Sequence, residues 1–214
     1  NPLSEIYLEA LRYFSGETSA TAAFATNNSE PAGSSVENTW VDPIESDEWC
    51  VNCSVIVLST GTNSFDGDDL GTLTDLPGLT EAKLDSNFTD SIGNAEQGGS
   101  FSGNYFIGES ASSSLDDSTC TAKNLSNLSD ARGICSELPA LEGTYDIAGL
   151  AYYAKTEDIR DSIAGDQNVS TYTVDLAESL PTFRVPVGTG EISFLPICQA
   201  NPYGTWQHRG SEWD

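Results

Sequence analysis

The clearest periodicity stands at the start of the chain. Leu3, Ile6, Tyr7, Ala10, Leu11 and Phe14 recur at i, i+3, i+4, i+7, i+8 and i+11, the spacing of one buried stripe on a helix. A helix is predicted over residues 2–14, with Asn1 as cap, Pro2 in the first turn and Gly16 ending it. Residues 17–39 are largely Ser, Thr, Ala, Asn and Gly without a period, and they predict a long surface loop. Residues 55–58, Val-Ile-Val-Leu, form an apolar run with no alternation. Such a run predicts a strand covered on both faces, as in a parallel sheet between helix layers.

The stretch 63–139 is poor in regular signals and rich in Gly, Ser and Asp, and it reads as an irregular insertion rather than a second cored domain. Order returns at Gly143. Ile147, Leu150, Ala151 and Ala154 sit at helical spacing, and Ile159 and Ile163 continue it as a broken second piece. Residues 169–177 are β-rich, with Tyr172, Val174 and Leu176 on one face. Residues 183–187 and 192–197 flank Gly188-Thr189-Gly190, a hairpin signature in which Pro186 marks an edge. The order helix, strand, insertion, helix, strand predicts an α/β sheet with crossover connections. Opening on a helix, the pattern reads as the second half of such a fold.

Composition narrows the function. The chain has 214 residues with 33 Asp+Glu against 8 Lys+Arg, a net charge of −25. A field of that sign repels phosphate backbones and anionic membrane surfaces, so nucleic acid and membrane insertion are not expected. No apolar run approaches the roughly 20 residues a membrane helix needs. There is no Met, and the Asn1-Pro2 start reads as processed. Sequons at Asn27, Asn52, Asn87, Asn124, Asn127 and Asn168 arise easily in a chain this rich in Asn, Ser and Thr.

Five cysteines point to an oxidising compartment. Cys50-x-x-Cys53 leads into a strand and lacks a second ligand pair, so a structural disulfide is expected rather than a zinc site, with Cys50 paired to Cys53 or held close to it. Cys120 and Cys135 can staple the insertion, which leaves Cys198 over. Asp66-Gly-Asp68-Asp69, preceded by Asn63 and Ser64, offers oxygens for Ca²⁺ at a strand end. It lacks the alternation of an EF-hand, so a solvated acidic turn competes with that reading. The single His, His208, stands near the end of the chain and no Gly-x-Ser-x-Gly elbow exists, so an enzyme is not expected. Tyr203, Trp206 and Trp213 are a candidate carbohydrate platform, with edge packing as the ordinary alternative.

Several blocks resemble a known family. Asn1-Pro-Leu-Ser-Glu-Ile-Tyr-Leu-Glu-Ala-Leu-Arg-Tyr-Phe-Ser-Gly16 looks like the helix after the metal-site threonine loop of von Willebrand factor A domains. Ser54-Val-Ile-Val-Leu-Ser-Thr-Gly-Thr-Asn-Ser-Phe-Asp-Gly-Asp-Asp69 resembles the fourth strand and its loop. With Gly143–Arg160 and Gly165–Leu180, these blocks are similar to the PilC/PilY family of type IV pilus tip adhesins. The resemblance covers roughly residues 1–16, 40–70 and 143–200.

It implies a partial Rossmann-like sheet of the von Willebrand factor A type across residues 1–214. An irregular insertion at about 63–139 and a C-terminal β-rich extension with a hairpin at about 181–214 complete the expected organisation. The implied role is an extracellular, cell-surface adhesion or structural module of a type IV pilus-associated tip protein. Its implied partners are pilus subunits, other copies or parts of the same precursor, and a host-surface or carbohydrate receptor. A Ca²⁺-dependent extracellular binding domain is the alternative, and a hydrolase comes last. The chain lacks the Asp-x-Ser-x-Ser loop, Asn1 stands where the threonine loop would end, and Thr60 stands where the family has Asp. The family's metal site is therefore not carried over.

Overall fold

The computed structural model describes residues 2–25, 39–45, 47–59, 63–111, 120–135, 137–138, 142–176, 183–188, 190–194 and 198–199. Chain order begins with α1 (Leu3–Ser15) and β1 (Cys53–Ser59). Next come α2 (Glu81–Lys83), a π-helical turn (Leu84–Thr89) and α3 (Asp90–Glu96). The short strands β2 (Gly103–Ile107), β3 (Glu109–Ser110), β4 (Thr121–Leu125), β5 (Ala131–Arg132) and β6 (Glu137–Leu138) follow. The chain continues through α4 (Asp146–Thr156), β7 (Val169–Asp175), β8 (Phe183–Val187), β9 (Gly190–Phe194) and β10 (Cys198–Gln199). The fold is mixed α and β, built from two-stranded sheets.

The organising pair is parallel. β1 runs beside β7 in register from Cys53 opposite Val169 to Ser59 opposite Asp175, with α4 in the connection between them. α1 and α4 pack on each other and on this pair. Tyr7, Leu8 and Leu11 of α1 meet Leu150, Tyr153 and Ala154 of α4 over Cys53 and Val169 in the main core. The Tyr7 hydroxyl lies 2.6 Å from Thr171 Oγ1, tying α1 to β7.

Three expectations hold here: the first helix with its Gly16 end, the central helix, and the hairpin, which forms as β8 against β9. Gly16 takes φ +94°, and a Cβ there would sit 3.0 Å from the Arg160 guanidinium carbon, so both conformation and space favour glycine.

The differences have physical causes. Ile6 is 58% exposed while Leu8 is fully buried, because the face of α1 is set by where α4 and β1 lie and not by the strongest stripe. Pro2, not Asn1, is the residue before the helix, and no side chain of its own caps it. Among the described residues, the run at 55–58 is covered on one face only. Val55 and Val57 point to the helices, while Ile56 and Leu58 are 64% and 67% exposed. Opposite them on β7, Tyr172 and Val174 are also exposed. Ile159 and Ile163 are buried, but in turns beyond α4.

The insertion is more ordered than its composition suggests. Leu70, Leu73, Leu76 and Leu79 are all buried, and the N–H of each later one bonds to the carbonyl of the leucine before it. The middle step is a 3₁₀ turn at Leu73–Asp75, and extended Leu76 and left-handed Gly78 carry the chain into the last one. Further on, Phe101, Ile107, Leu125, Leu128 and Ala131 form a second, smaller core beneath the antiparallel β2–β4 pair. A Cys120–Cys135 disulfide closes it, the pairing read from the sequence. Cys50 and Cys53 are free thiols rather than the expected local bridge: Cys53 turns into the core at the start of β1, whereas Cys50 faces solvent.

Candidate functional site: the crevice at the carboxyl ends of β1 and β7

In open α/β sheets, ligands settle outside the carboxyl ends of the parallel strands. Here that position holds a cavity of about 330 Å³. Val57 and Ser59 from β1, Thr173 and Asp175 from β7, Leu3 from α1 and Ile147 from α4 form its walls. Ile134, beside the disulfide, closes one side, and Asn63, Thr144 and Tyr145 contribute further lining.

Asp66 ties these segments together. Its carboxylate accepts the Ser4 backbone N–H at 2.7 Å and the Ser4 hydroxyl at 2.8 Å. It also accepts Asn63 Nδ2 at 2.7 Å and the Thr144 hydroxyl at 3.1 Å. The first-turn amide of α1 thus receives a buried carboxylate from a distant loop, which offsets the missing local cap and complements the helix dipole. Asn63 Nδ2 also bonds the Thr144 carbonyl. Next door, buried Glu5 accepts the N–H groups of Gly67 at 3.1 Å and Asp69 at 3.2 Å. Burial raises the Glu5 carboxyl above its ordinary value, with Asp68 adding to the rise and the two amides opposing it.

Asp146 opens α4 and is the least compensated carboxyl of the group. Burial pushes it up to about 6; a hydrogen bond with Thr144 and the charge of Arg132 work against that, while Asp85 and Asp66 add to it. Thr144 therefore links the two residues, donating its hydroxyl to the Asp66 carboxylate and accepting the Asp146 backbone N–H at 3.3 Å.

The residues singled out for Ca²⁺ are not brought together. Asp66 is buried and held by four donors, whereas Asp68 and Asp69 are exposed. Among the described residues, no group of three His, Cys, Asp or Glu side chains is arranged to hold a metal ion. Thr60, Tyr203, Trp206, His208 and Trp213 lie outside the described residues, as does the Cys198 side chain. Ser4, Thr144 and Asp146 escaped the sequence reading. The Thr144-Tyr145-Asp146 run just before an apolar-periodic helix was the available signal, because hydroxyl and acidic residues gather at helix starts.

A family model described as "PilY1 homolog, second domain" matches residues 1–154, from the start of α1 through most of α4. Among curated proteins, the chain is similar to a type IV pilus biogenesis factor PilY1 homolog of Xylella fastidiosa (strain Temecula1 / ATCC 700964). They are 32% identical over 216 residues, which covers 94% of this chain and 14% of that protein. No solved structure gives a significant match. The family model spans more than half of the chain and includes both helices that build the crevice and the loop that carries Asp66, so the chain belongs to the PilY family.

Proposed function

We propose that this unit is a binding and structural module of a type IV pilus biogenesis protein, working at the cell surface and contributing to attachment. In this reading it is one part of a von Willebrand factor A-type sheet whose remainder is supplied by the longer polypeptide. The observation that carries it is the parallel β1–β7 pair, helix-covered on one side and bare on the other. Parallel sheets are almost always covered on both faces, and exposed contiguous apolar surface marks an interaction site. Among the described residues β1 pairs only with β7, so its other edge is open to a further strand. The family match and the pilus role named for the Xylella relative support the assignment.

The test is a paired Ile56→Ser, Leu58→Ser substitution in the full-length protein, expressed in a piliated bacterium. Protein level at the surface, pilus number and attachment are scored separately. Fewer pili, or pili that no longer attach, is the expected result. Normal pili and normal attachment would refute the module's role.

A further inference from the structure

Cys50 and Cys53 are both thiols, while Cys120 and Cys135 in the same chain are already joined. A protein that carries a disulfide works where thiols are oxidised, and an exposed free thiol there is reactive. Cys50 is exposed, three residues before the buried Cys53. The segment between them is anchored at one end, where Gln167 Nε2 donates to the Trp49 carbonyl at 3.1 Å, and at the other, where β1 begins. Burial raises the Cys53 thiol above its ordinary value, and the charge of Arg160 works against that rise. That guanidinium is fixed by two bonds to the Asp42 carboxylate, and its Nε has no hydrogen-bond partner among the described residues.

We propose that Cys50 and Cys53 form a closable dithiol, with Cys50 as the entry thiol and Cys53 as the resolving thiol. The oxidant is a disulfide, either of a small thiol or of a thiol–disulfide oxidoreductase. The Cys50 thiolate attacks one sulfur of that disulfide and expels the other as a thiolate. The Cys53 thiolate then attacks Cys50 Sγ in the mixed disulfide and expels the second. One Cys50–Cys53 bond forms, one external disulfide is reduced to two thiols, and the two cysteine protons end on them. The exposures set the order, since only Cys50 is open to a bulky oxidant. Closure requires the turn before β1 to swing Cys50 inward. The bond would pin the start of β1, and with it the core end of the parallel pair.

The experiment treats the intact protein with glutathione disulfide, removes the oxidant, denatures the protein, alkylates the remaining thiols and maps peptides without reduction. Alkylation at Cys50 and Cys53 is expected to be lost together, with the two residues linked to each other. In Cys53→Ser the reaction is expected to stop with one glutathione on Cys50. In Cys50→Ser, Cys53 is expected to stay unmodified until the protein is denatured. The dithiol assignment is overturned by a stable glutathione adduct on Cys50 in the unsubstituted protein, by a Cys50–Cys198 link, or by two thiols that remain alkylatable throughout.

Discussion

Replacing Asp146 with Asn probes the electrostatics at the start of α4, next in sequence to Thr144 and Tyr145 of the crevice wall. The side chain is buried at the start of α4, and its carboxyl is raised from the ordinary 3.8 to about 6, mainly by burial. A folded-state value above the unfolded one means that folding favours the protonated form. Its stabilising contribution is complete below 3.8 and lost as the pH rises through about 6. The gap of 6 − 3.8 = 2.2 units corresponds to about 3 kcal/mol that the ionised carboxylate costs above neutrality. Asparagine keeps the shape and cannot ionise, but it gives up the favourable charge at a helix start, worth ~0.3–1 kcal/mol. Asp146→Asn is therefore expected to gain about 2 kcal/mol at pH 8, a rise of roughly 4–8 °C in melting temperature for a chain of this size. At pH 4 it should gain nothing. Thermal denaturation of both proteins across that range measures it, and the difference between the two curves removes the raised Glu5, whereas Asp85, whose charge adds to the rise at Asp146, is relieved together with it. A gain that is equal at pH 4 and pH 8, or a loss at pH 8, would refute the uncompensated burial of Asp146.

Two further substitutions test the frame around the site. In Gly149→Ala the new Cβ would stand 2.1 Å from Thr89 Oγ1 and 3.0 Å from the Thr89 nitrogen, so urea unfolding should show a loss of about 1–3 kcal/mol. Adding Thr89→Ala should recover part of it, since that hydroxyl is buried with no partner; an unchanged midpoint for Gly149→Ala would contradict the close helix approach. Asp66→Ala leaves the Ser4 amide and hydroxyl, Asn63 and Thr144 without their acceptor, and a loss of about 2–4 kcal/mol is expected from the same assay. Asp66→Asn should fall between, because it retains one carbonyl oxygen. A neutral Asp66→Ala would mean that the three segments are not held through this residue.

Much of the main core is legible from sequence because its elements obey a single period. The stripe of α1, the apolar run of β1, the helical spacing of α4 and the glycines of the β8–β9 turn each identify their element without tertiary information. The insertion is opaque for a definable reason. Its four leucines at 70, 73, 76 and 79 repeat every three residues, a step that neither the helical nor the strand template scores. In the helical stretch after them, the π turn at Leu84–Thr89 shifts the register between Leu84 and Phe88 on one side and α3 on the other. Partial burial of β1 is hidden in a different way. An unbroken run of Val, Ile, Val and Leu predicts cover on both faces, and it carries no mark of which face the described elements leave exposed.

The crevice was only half legible for a related reason. Asp66, Asp68 and Asp69 look equivalent in sequence, and carboxylate density alone suggests a cation. Their fates are decided by distant donors. Asp66 reaches the amide end of α1, 62 residues earlier in the chain, and Thr144, 78 residues later, while Asp68 and Asp69 remain in solvent. Once four donors surround Asp66, bringing a cation to it means breaking hydrogen bonds that also hold α1 and the approach to α4. Glu5 is served in the same way by two loop amides. Among the described residues Asp146 lacks such a set of donors, and burial pushes its carboxyl up to about 6. Donors from the start of α1, from Asn63 and from Thr144 thus balance the charge of Asp66, whereas burial dominates at Asp146 despite its bond with Thr144 and makes the start of α4 sensitive to pH.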